Sequence, residues 1–412
     1  MTVQTDILFL CQYFYPDQNS SATLPFDTAR ALAAQGCRVR VLCGYPKEYT
    51  DRTDTPLRET IDGVEICRVR YLQLPRGGKI GRLVNFLSFT LACAAQRRLL
   101  RESRSVLVYS NPPVLPAVAL LAKRRWGAKL VFVSYDVYPE IALISGALRA
   151  GGVIDRGMRR LNAALFRRAD AVVALTEQMR DYLLAHRSQL TPERVRVIPN
   201  WAHETRAARD GTALADYGIP EDAFVVAYCG NLGELQDVDT LAGAMELLRG
   251  EDVWFFVAGH GSKLETLRTR TRDLPRVMIA DYLAPERFAH AVAAASCGVV
   301  SLTPGQKGTC APSKYYSYLQ CGLPVLSIVE PDSYLAQEAA QEGVGFSVRQ
   351  GDAEGLASAI RTLRSDAALC AETGARAETL YRAQYDKSIA MGSYRALFAS
   401  IGIQPSTGEA DA

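Results

Sequence analysis

The 412 residues predict an α/β protein of two doubly wound, parallel-sheet (Rossmann-like) domains facing a central cleft. Three observations carry that expectation. Short β-branched runs alternate with helix-length amphipathic segments almost from end to end, which is the rhythm of βαβ units. Those runs fall into two series separated by a polar stretch. Finally, the chain is too long for one hydrophobic core, and its 48% apolar and 22% charged residues are those of a soluble globular protein.

In the first series the strands are DILFLCQ, RVRVLCG, VEICRVR, VLVYS, KLVFVSYD, AVVALT and VRVIPN, from Asp6 to Asn200. In the second they are FVVAYCGNL, VWFFVAG, VMIAD, GVVSLTP, PVLSIV and VGFSV, from Phe224 to Val348. The boundary lies in PNWAHETRAARDG, Pro199 to Gly211, where a strand gives way to polar, turn-rich sequence. The domains are therefore expected at 1–204 and 205–384, with a C-terminal helix at about 385–403 packing back on the first. After Leu356 only helices are expected, and residues 404–412, QPSTGEADA, read as a disordered tail.

One segment departs from this pattern. KIGRLVNFLSFTLACAAQRRLLRESR, Lys79 to Arg104, reads as a single helix with basic ends and an apolar centre. It is too short to span a bilayer and suits either the interfacial plane of a membrane or a buried core position. Charge favours the membrane. Net charge is only +3, yet residues 1–200 hold 29 Lys and Arg against 17 Asp and Glu, and the remainder 18 against 27. An anionic partner belongs on the basic half. Nucleic acid is not expected, because the chain has no helix-turn-helix, zinc-finger or RNA-binding signature and no aromatic platforms among its basic residues. An anionic membrane surface or a lipid diphosphate fits instead.

No secretory signal is expected, since MTVQTDILFLCQ lacks a basic start. The longest uncharged run, Ser105 to Ala122, is broken by Pro112, Pro113 and Pro116 and reads as strand, turn and helix start. Ten cysteines show no C-x-x-C pair and no histidine partners, so they read as small buried hydrophobes in a reducing compartment, without a zinc site or disulfides.

Ligands of doubly wound sheets sit beyond the carboxyl ends of the strands, and the loops there carry the candidate chemistry. The first, QYFYPDQNSSATLPFDTARALAAQG, leads into a helix expected near Thr23, and Asn19, Ser20 and Ser21 leave backbone amides open to a ligand. The absence of G-x-G-x-x-G argues against dinucleotide oxidoreductase chemistry. In the second domain, YCGNLGELQDVDTL places Gly230 and Gly233 where a ligand approaches backbone, with Asp237 or Asp239 capping the next helix. Capping explains these carboxylates better than a metal-binding D-x-D. VAGHGSKLETL adds a Gly259-His260-Gly261 turn, and SLTPGQKGTC leads into CAPSKYYSYLQCGLPVL. There Ser313 is expected to cap a helix that Gly322 and Pro324 stop. Helix amides plus Lys314 make an anion-binding end; the alternative is a surface turn with a solvated lysine.

Taken together, FLCQYFYPDQNSSATLPFDTARALAAQG, SNPPVLPAVALLAK, VSYDVYPE, ADAVVALTEQMRDYL, VRVIPNWAH, YCGNLGELQDVDTL and PSKYYSYLQCGLPVL resemble, in this order, a family-4 glycosyltransferase, a retaining enzyme of the GT-B fold. The resemblance covers about residues 6–400 and is nearest the bacterial branch that builds surface polysaccharide and O-antigen units on a polyprenyl-diphosphate lipid, amino-sugar transferases included. It implies a nucleotide-sugar donor, UDP-linked, held mainly by the second domain. The implied acceptor is a lipid-linked saccharide reaching the first domain at the cytoplasmic face of the plasma membrane, where the protein is peripherally associated.

Carried over by position, the implied donor-binding residues are Gly230, Asn231, Leu232, Gly233, Gln236, Gly259, His260, Gly261, Pro312, Ser313, Lys314, Tyr315 and Ser317. Asn19, Ser20, Ser21, Tyr135 and Glu140 fall to the acceptor and first loop, and Asp136 and Lys314 are the catalytic pair. Asp136 faces the reacting sugar in a positioning or charge-stabilising role; its alternative is a helix cap or turn residue. No general base is implied, because in front-face attack the leaving phosphate takes the acceptor proton. No cofactor and no metal are implied either.

The chain also departs from the family. Asn231 and Gln236 stand where many relatives have an arginine and a lysine, Thr309 and Ser317 where they have paired glutamates, and Tyr135 where a histidine is common. Lys314 then carries more of the diphosphate, helped by a first-domain basic residue or by Lys307. Two other functions suit the same fold. A sugar-nucleotide epimerase or phosphorylase needs acid-base groups around the sugar, and the four histidines show no cluster. An inactive transferase-like scaffold in a polysaccharide assembly complex is the other.

Overall fold

The computed structural model describes residues 4–47, 50, 52, 54–75, 79–202, 207–208, 210–281 and 283–405. The chain divides into two compact units. Unit one holds the chain up to Pro199, the short segment Thr309–Ala311 and the stretch from Ser388; unit two holds Asn200–Gly308 and Pro312–Lys387. Most of the expected tail, residues 406–412, and part of the expected boundary, 203–206 and 209, lie outside the described residues.

Unit one is built on an eight-stranded sheet. Its strands are β1 (Thr5–Leu10), β2 (Val39–Gly44), β3 (Arg58–Ile61), β4 (Val64–Val69), β5 (Ser103–Tyr109), β6 (Lys129–Ser134), β7 (Ala171–Ala174) and β8 (Val195–Val197), in the order β3-β4-β2-β1-β5-β6-β7-β8. All pairings are parallel except β3 with β4. The central strands are apolar on both faces because helices cover both; every residue of β1 is buried. The one carboxylate inside β1, Asp6, is fully buried but compensated: it accepts from the Arg38 amide at 2.8 Å and pairs with Arg104 at 2.9 Å. The strand order reverses between β1 and β5, so the ends of those two strands form the switch point of this sheet.

The segment expected as one helix from Lys79 to Arg104 is two helices, Lys79–Ala95 and Arg97–Arg101, and Ser103 already belongs to β5. The break follows from the sheet: Leu99 and Leu100 turn into the core, and Arg104 is drawn to Asp6 on the neighbouring strand. The helix expected near Thr23 begins at Ser20, with Asn19 as the extended residue before it. β3 was not foreseen; its RETI sequence has no apolar run, and it closes a sheet edge.

Unit two carries a six-stranded, wholly parallel sheet of β9 (Val225–Asn231), β10 (Trp254–His260), β11 (Val277–Ala280), β12 (Cys297–Ser301), β13 (Val325–Ile328) and β14 (Gly345–Val348), ordered β11-β10-β9-β12-β13-β14. Here the reversal lies between β9 and β12. The ten cysteines are thiols rather than disulfides, seven of them buried. Burial pushes the Cys43 thiol up to about 12 and those of Cys11 and Cys93 well above their ordinary value, so these thiols are unreactive packing groups.

Candidate functional site

The densest set of expected site residues lies at the carboxyl end of the unit-two sheet. β9 and β10 run in register to their last residues, Gly230 beside Gly259 and Asn231 beside His260. That proximity is why glycine is needed: a Cβ on Gly259 would stand 1.9 Å from the Gly230 carbonyl oxygen, and one on Gly261 2.3 Å from that of Leu232. The two loops are then laced together. The Leu232 amide donates to His260 O at 2.8 Å, the Lys263 amide to Leu232 O at 2.9 Å, and Lys263 Nζ to Gln236 O at 2.8 Å. Gln236 Oε1 accepts from the Gly233 amide at 2.9 Å and from Asn231 Nδ2 at 3.1 Å. Asn231 and Gln236 thus hold the loop's shape. Partial burial lowers the His260 pKa, keeping that ring neutral near pH 7.

Asp237, not Asp239, caps the following helix, accepting from the Thr240 amide at 3.1 Å. Asp239 pairs with Arg270 at 3.3 Å. Among the described residues no cluster of three or more His, Cys, Asp or Glu has the arrangement of a metal site.

The helix Ser313–Gln320 packs over β9 and β12. Its Tyr318 ring lies against Gly298, and its hydroxyl accepts from the Cys229 amide at 2.9 Å, fixing the helix to the strand beneath. Pro312, with extended backbone, is the residue before the helix, and Ser313 is its first turn rather than its cap; the proline supplies the non-helical residue and its carbonyl accepts from the Tyr315 amide at 3.2 Å. The first amides of such a helix have no acceptor within it.

Lys314 extends from this helix over the β9 end. Its Nζ lies 3.5 Å from the centroid of the Tyr228 ring, with its Cε against Gly230. That nitrogen is buried without a hydrogen-bond partner, and desolvation lowers the lysine pKa to about 7. An unpaired ammonium held at a strand-end loop is what an anionic ligand requires.

Three expectations are corrected here. Tyr315 points away from Lys314: it is buried and donates to Glu338 at 2.6 Å, within a cluster that includes Tyr316, Tyr334 and Tyr385. Ser317 lies inside at 4% exposure, and Thr309 is buried in unit one. Lys307, expected as a helper, pairs with Asp332.

In unit one, Asn19, Ser20 and Ser21 form the start of the first helix at the β1 end, and the Asn19 side chain caps nothing. Its Oδ1 is buried without a partner, as are Gln12 Oε1 after β1 and Asn111 Oδ1 after β5. These three amide oxygens flank the switch point of this sheet. Beyond β6, the Tyr135 and Asp136 amides both donate to Ser110 Oγ at 3.1 Å. The Tyr135 ring packs on Tyr109 with centroids 4.9 Å apart. Asp136 is held by backbone pairing with Cys310 and lines a small cavity together with Ser110, Phe132, Tyr138, Asn162 and Phe166. Desolvation there raises its pKa to about 6. Glu140 is committed to structure: Arg187 pairs with it at 2.6 Å and Arg159 at 3.8 Å, which removes it as a free acceptor-binding carboxylate.

Tyr228, Gln12 and Asn111 were not foreseen. Gln12 and Asn111 each follow a strand at its carboxyl end, a positional signal that was available; Tyr228 lies inside a strand and gave none.

Residues 26–201 match the family model described as "Glycosyl transferase 4-like domain", and residues 223–366 the one described as "Glycosyl transferases group 1". The chain is similar to the probable glycosyltransferase WbjE of Pseudomonas aeruginosa, 26% identical over 63% of this chain and 66%, just under two thirds, of that protein. It is similar to the putative colanic acid biosynthesis glycosyl transferase WcaI of Escherichia coli (strain K12), 24% identical over 80% of this chain and 85% of that one. Among solved structures it is similar to Anabaena HepE in complex with UDP-glucose, with a TM-score of 0.68, 17% identity and coverage of 95% of this chain and 99% of that one. At that identity the likeness is one of fold.

Proposed function

Because the chain belongs to family 4 of the glycosyltransferases and has the GT-B fold, we propose that it transfers a sugar, with retention, from a UDP-linked donor to a polyprenyl-diphosphate-linked saccharide in bacterial surface-polysaccharide synthesis. The observation that carries this reading is Lys314, a buried ammonium with no hydrogen-bond partner beside the β9 loop. A diphosphate there meets that charge and the open amides at the start of the Ser313–Gln320 helix. The UDP bound by HepE supports the choice of base, and the assignment of WcaI to colanic acid biosynthesis supports the pathway class. An N-acetylamino sugar is the donor group that the branch resemblance favours.

Transfer breaks the bond between the anomeric carbon and the diphosphate oxygen, and the electron pair leaves with that oxygen. Lys314 and the helix amides stabilise the charge that develops there. The acceptor hydroxyl forms the new bond on the same face, and its proton passes to the departing phosphate oxygen. Asp136 positions the acceptor in unit one, and no cofactor or metal is assigned.

The acceptor's lipid puts the protein at a membrane surface, inside the cell. Between Glu65 and Glu102 there is no acidic residue; the helix Lys79–Ala95 exposes Ile80 at 80%, Leu91 at 70%, Leu87 at 45% and Arg82, and the helix Arg97–Arg101 that follows exposes Arg97 and Arg98. An apolar stripe edged by arginines suits an anionic bilayer interface. No helix among the described residues is long and apolar enough to cross a membrane.

The test incubates wild-type protein and Lys314→Ala with a panel of nucleotide-sugars and a polyprenyl-diphosphate saccharide. Lys314→Ala is expected to weaken donor binding by about 1.5–3 kcal/mol, the range for a hydrogen bond to a charged group. No transfer and no nucleotide-sugar binding by the wild type would sink the proposal, and unchanged affinity in the variant would reject the diphosphate's placement. For the membrane, Leu87→Glu with Leu91→Glu should release the protein from anionic vesicles while transfer to a water-soluble acceptor persists; retained vesicle binding rejects this surface.

A further inference from the structure

The ammonium of Lys314 has an unusual neighbour. Among the described residues it has no hydrogen bond, and it lies over the face of Tyr228, 3.5 Å from the ring centroid. That ring is not free to move. It is 1% exposed, its hydroxyl donates to the Asn231 carbonyl at 3.1 Å, and it accepts from Ser301 Oγ at 3.3 Å. The other groups packed around this point are the Cys229 thiol on β9 and the Tyr318 hydroxyl on the Ser313–Gln320 helix, which sits on the Cys229 amide. Asp237, which also acts on Tyr228, is committed to Thr240, and His260 at the end of β10 is held neutral by burial. The aromatic face, negative by its quadrupole, is therefore the ammonium's main stabiliser while no ligand is bound.

We propose that Tyr228 is a positioning residue for the donor diphosphate: its ring holds the Lys314 ammonium in place unpaired, so that donor binding supplies the first anionic partner and draws a proton onto the lysine. This rests on the functional reading above. A carboxylate at the same place would hold the lysine equally well but would compete with the diphosphate; a ring face attracts the cation and leaves its other side open. The proton follows from linkage. With a pKa lowered to about 7 by burial, Lys314 loses its charge as pH rises through that value, whereas a bound diphosphate favours the charged form. Binding near neutrality therefore takes up part of a proton, and affinity falls as pH rises above about 7.

The experiment measures binding of UDP-glucose and GDP-mannose, whose phosphates stay ionised throughout, by calorimetry in buffers of different ionisation enthalpy between about pH 6 and about pH 9. Wild type should take up a fraction of a proton near neutrality, and Lys314→Met should take up none. Tyr228→Leu should weaken binding about two- to thirtyfold near pH 7 and move the pH midpoint downward. Tyr228→Phe, which keeps the ring and loses the hydroxyl, should keep the wild-type midpoint. Absence of proton uptake in the wild type overturns the proposal, as does a midpoint in Tyr228→Phe displaced as expected for the leucine variant. These two outcomes decide even if Tyr228→Leu does not fold. If Lys314→Met binds as tightly as wild type, or if neither nucleotide-sugar binds, the functional reading itself fails; weakened binding without proton uptake removes only the role given to Tyr228.

Discussion

Unit two closes its strand-order reversal around an ammonium that lacks an acceptor, whereas unit one closes its own around three amide oxygens that lack a donor. The sheets are alike in plan, but their strand-end loops differ in chemistry and in stiffness. In unit two the loops after β9 and β10 are pinned by backbone and by Gln236, with no room for a side chain at Gly259. In unit one Gln12, Asn19 and Asn111 leave acceptors open, and the Asp136 carboxyl after β6 has a raised pKa. A cationic, rigid site suits a diphosphate of fixed geometry. Neutral acceptors suit a ligand that offers hydroxyls, as a saccharide does.

The sharpest way to break this comparison is steric. Gly259→Ala puts its Cβ into a carbonyl oxygen of the next strand, so a loss above about 4 kcal/mol is expected in denaturant unfolding of unit two. Gly127 in unit one also has a left-handed backbone, φ +77°, but a Cβ added there would meet nothing within 4 Å, and Gly127→Ala should cost only about 1 kcal/mol. Equal losses would show that the unit-two loops are not pinned as described.

Asp136 offers the next largest effect. Its folded pKa of about 6 lies above its ordinary value of 3.8, so the folded state holds the proton more tightly. Stability therefore falls as pH rises between about 4 and about 6, and ionised Asp136 costs about 3 kcal/mol at neutral pH. Asp136→Asn should flatten that slope and stabilise the protein at pH 7 while lowering transfer. A variant that is stabilised with full turnover would make Asp136 a turn residue only. The smallest effect is expected for Gln12→Ala or Asn111→Ala, each raising the acceptor KM by roughly tenfold, about one hydrogen bond, with the donor KM unchanged. A shift in the donor KM instead would undo the division of chemistry between the units.

Much of the fold was legible because parallel strands covered on both faces are apolar runs, and thirteen of these were read in order from the sequence. β3 was hidden since an edge strand with alternating exposure carries no such run. The break after Ala95 was hidden because it is set by β5 pairing with β1, far away in sequence. At the site, Lys314 and the glycine loops were legible from their place after strands. Tyr315 does not join Lys314 because, about 100° further round the helix, its ring turns into the core and its hydroxyl is taken by Glu338. Tyr228 was not legible at all, since only the packing of the Ser313–Gln320 helix over β9 brings the lysine above its ring.

The buried cysteines have one more use. Five lie in unit one (Cys11, Cys37, Cys43, Cys67 and Cys93) and two in unit two (Cys229 and Cys297), and none is bonded to another. A thiol reagent reaches those with no exposure only when the structure around them opens, so the rate at which each of these is labelled clocks the opening of its own unit. Cys229 follows Tyr228 in β9 and acts electrostatically on Lys314, and its labelling in the presence and absence of nucleotide-sugar would time how long a bound donor keeps that strand end shut.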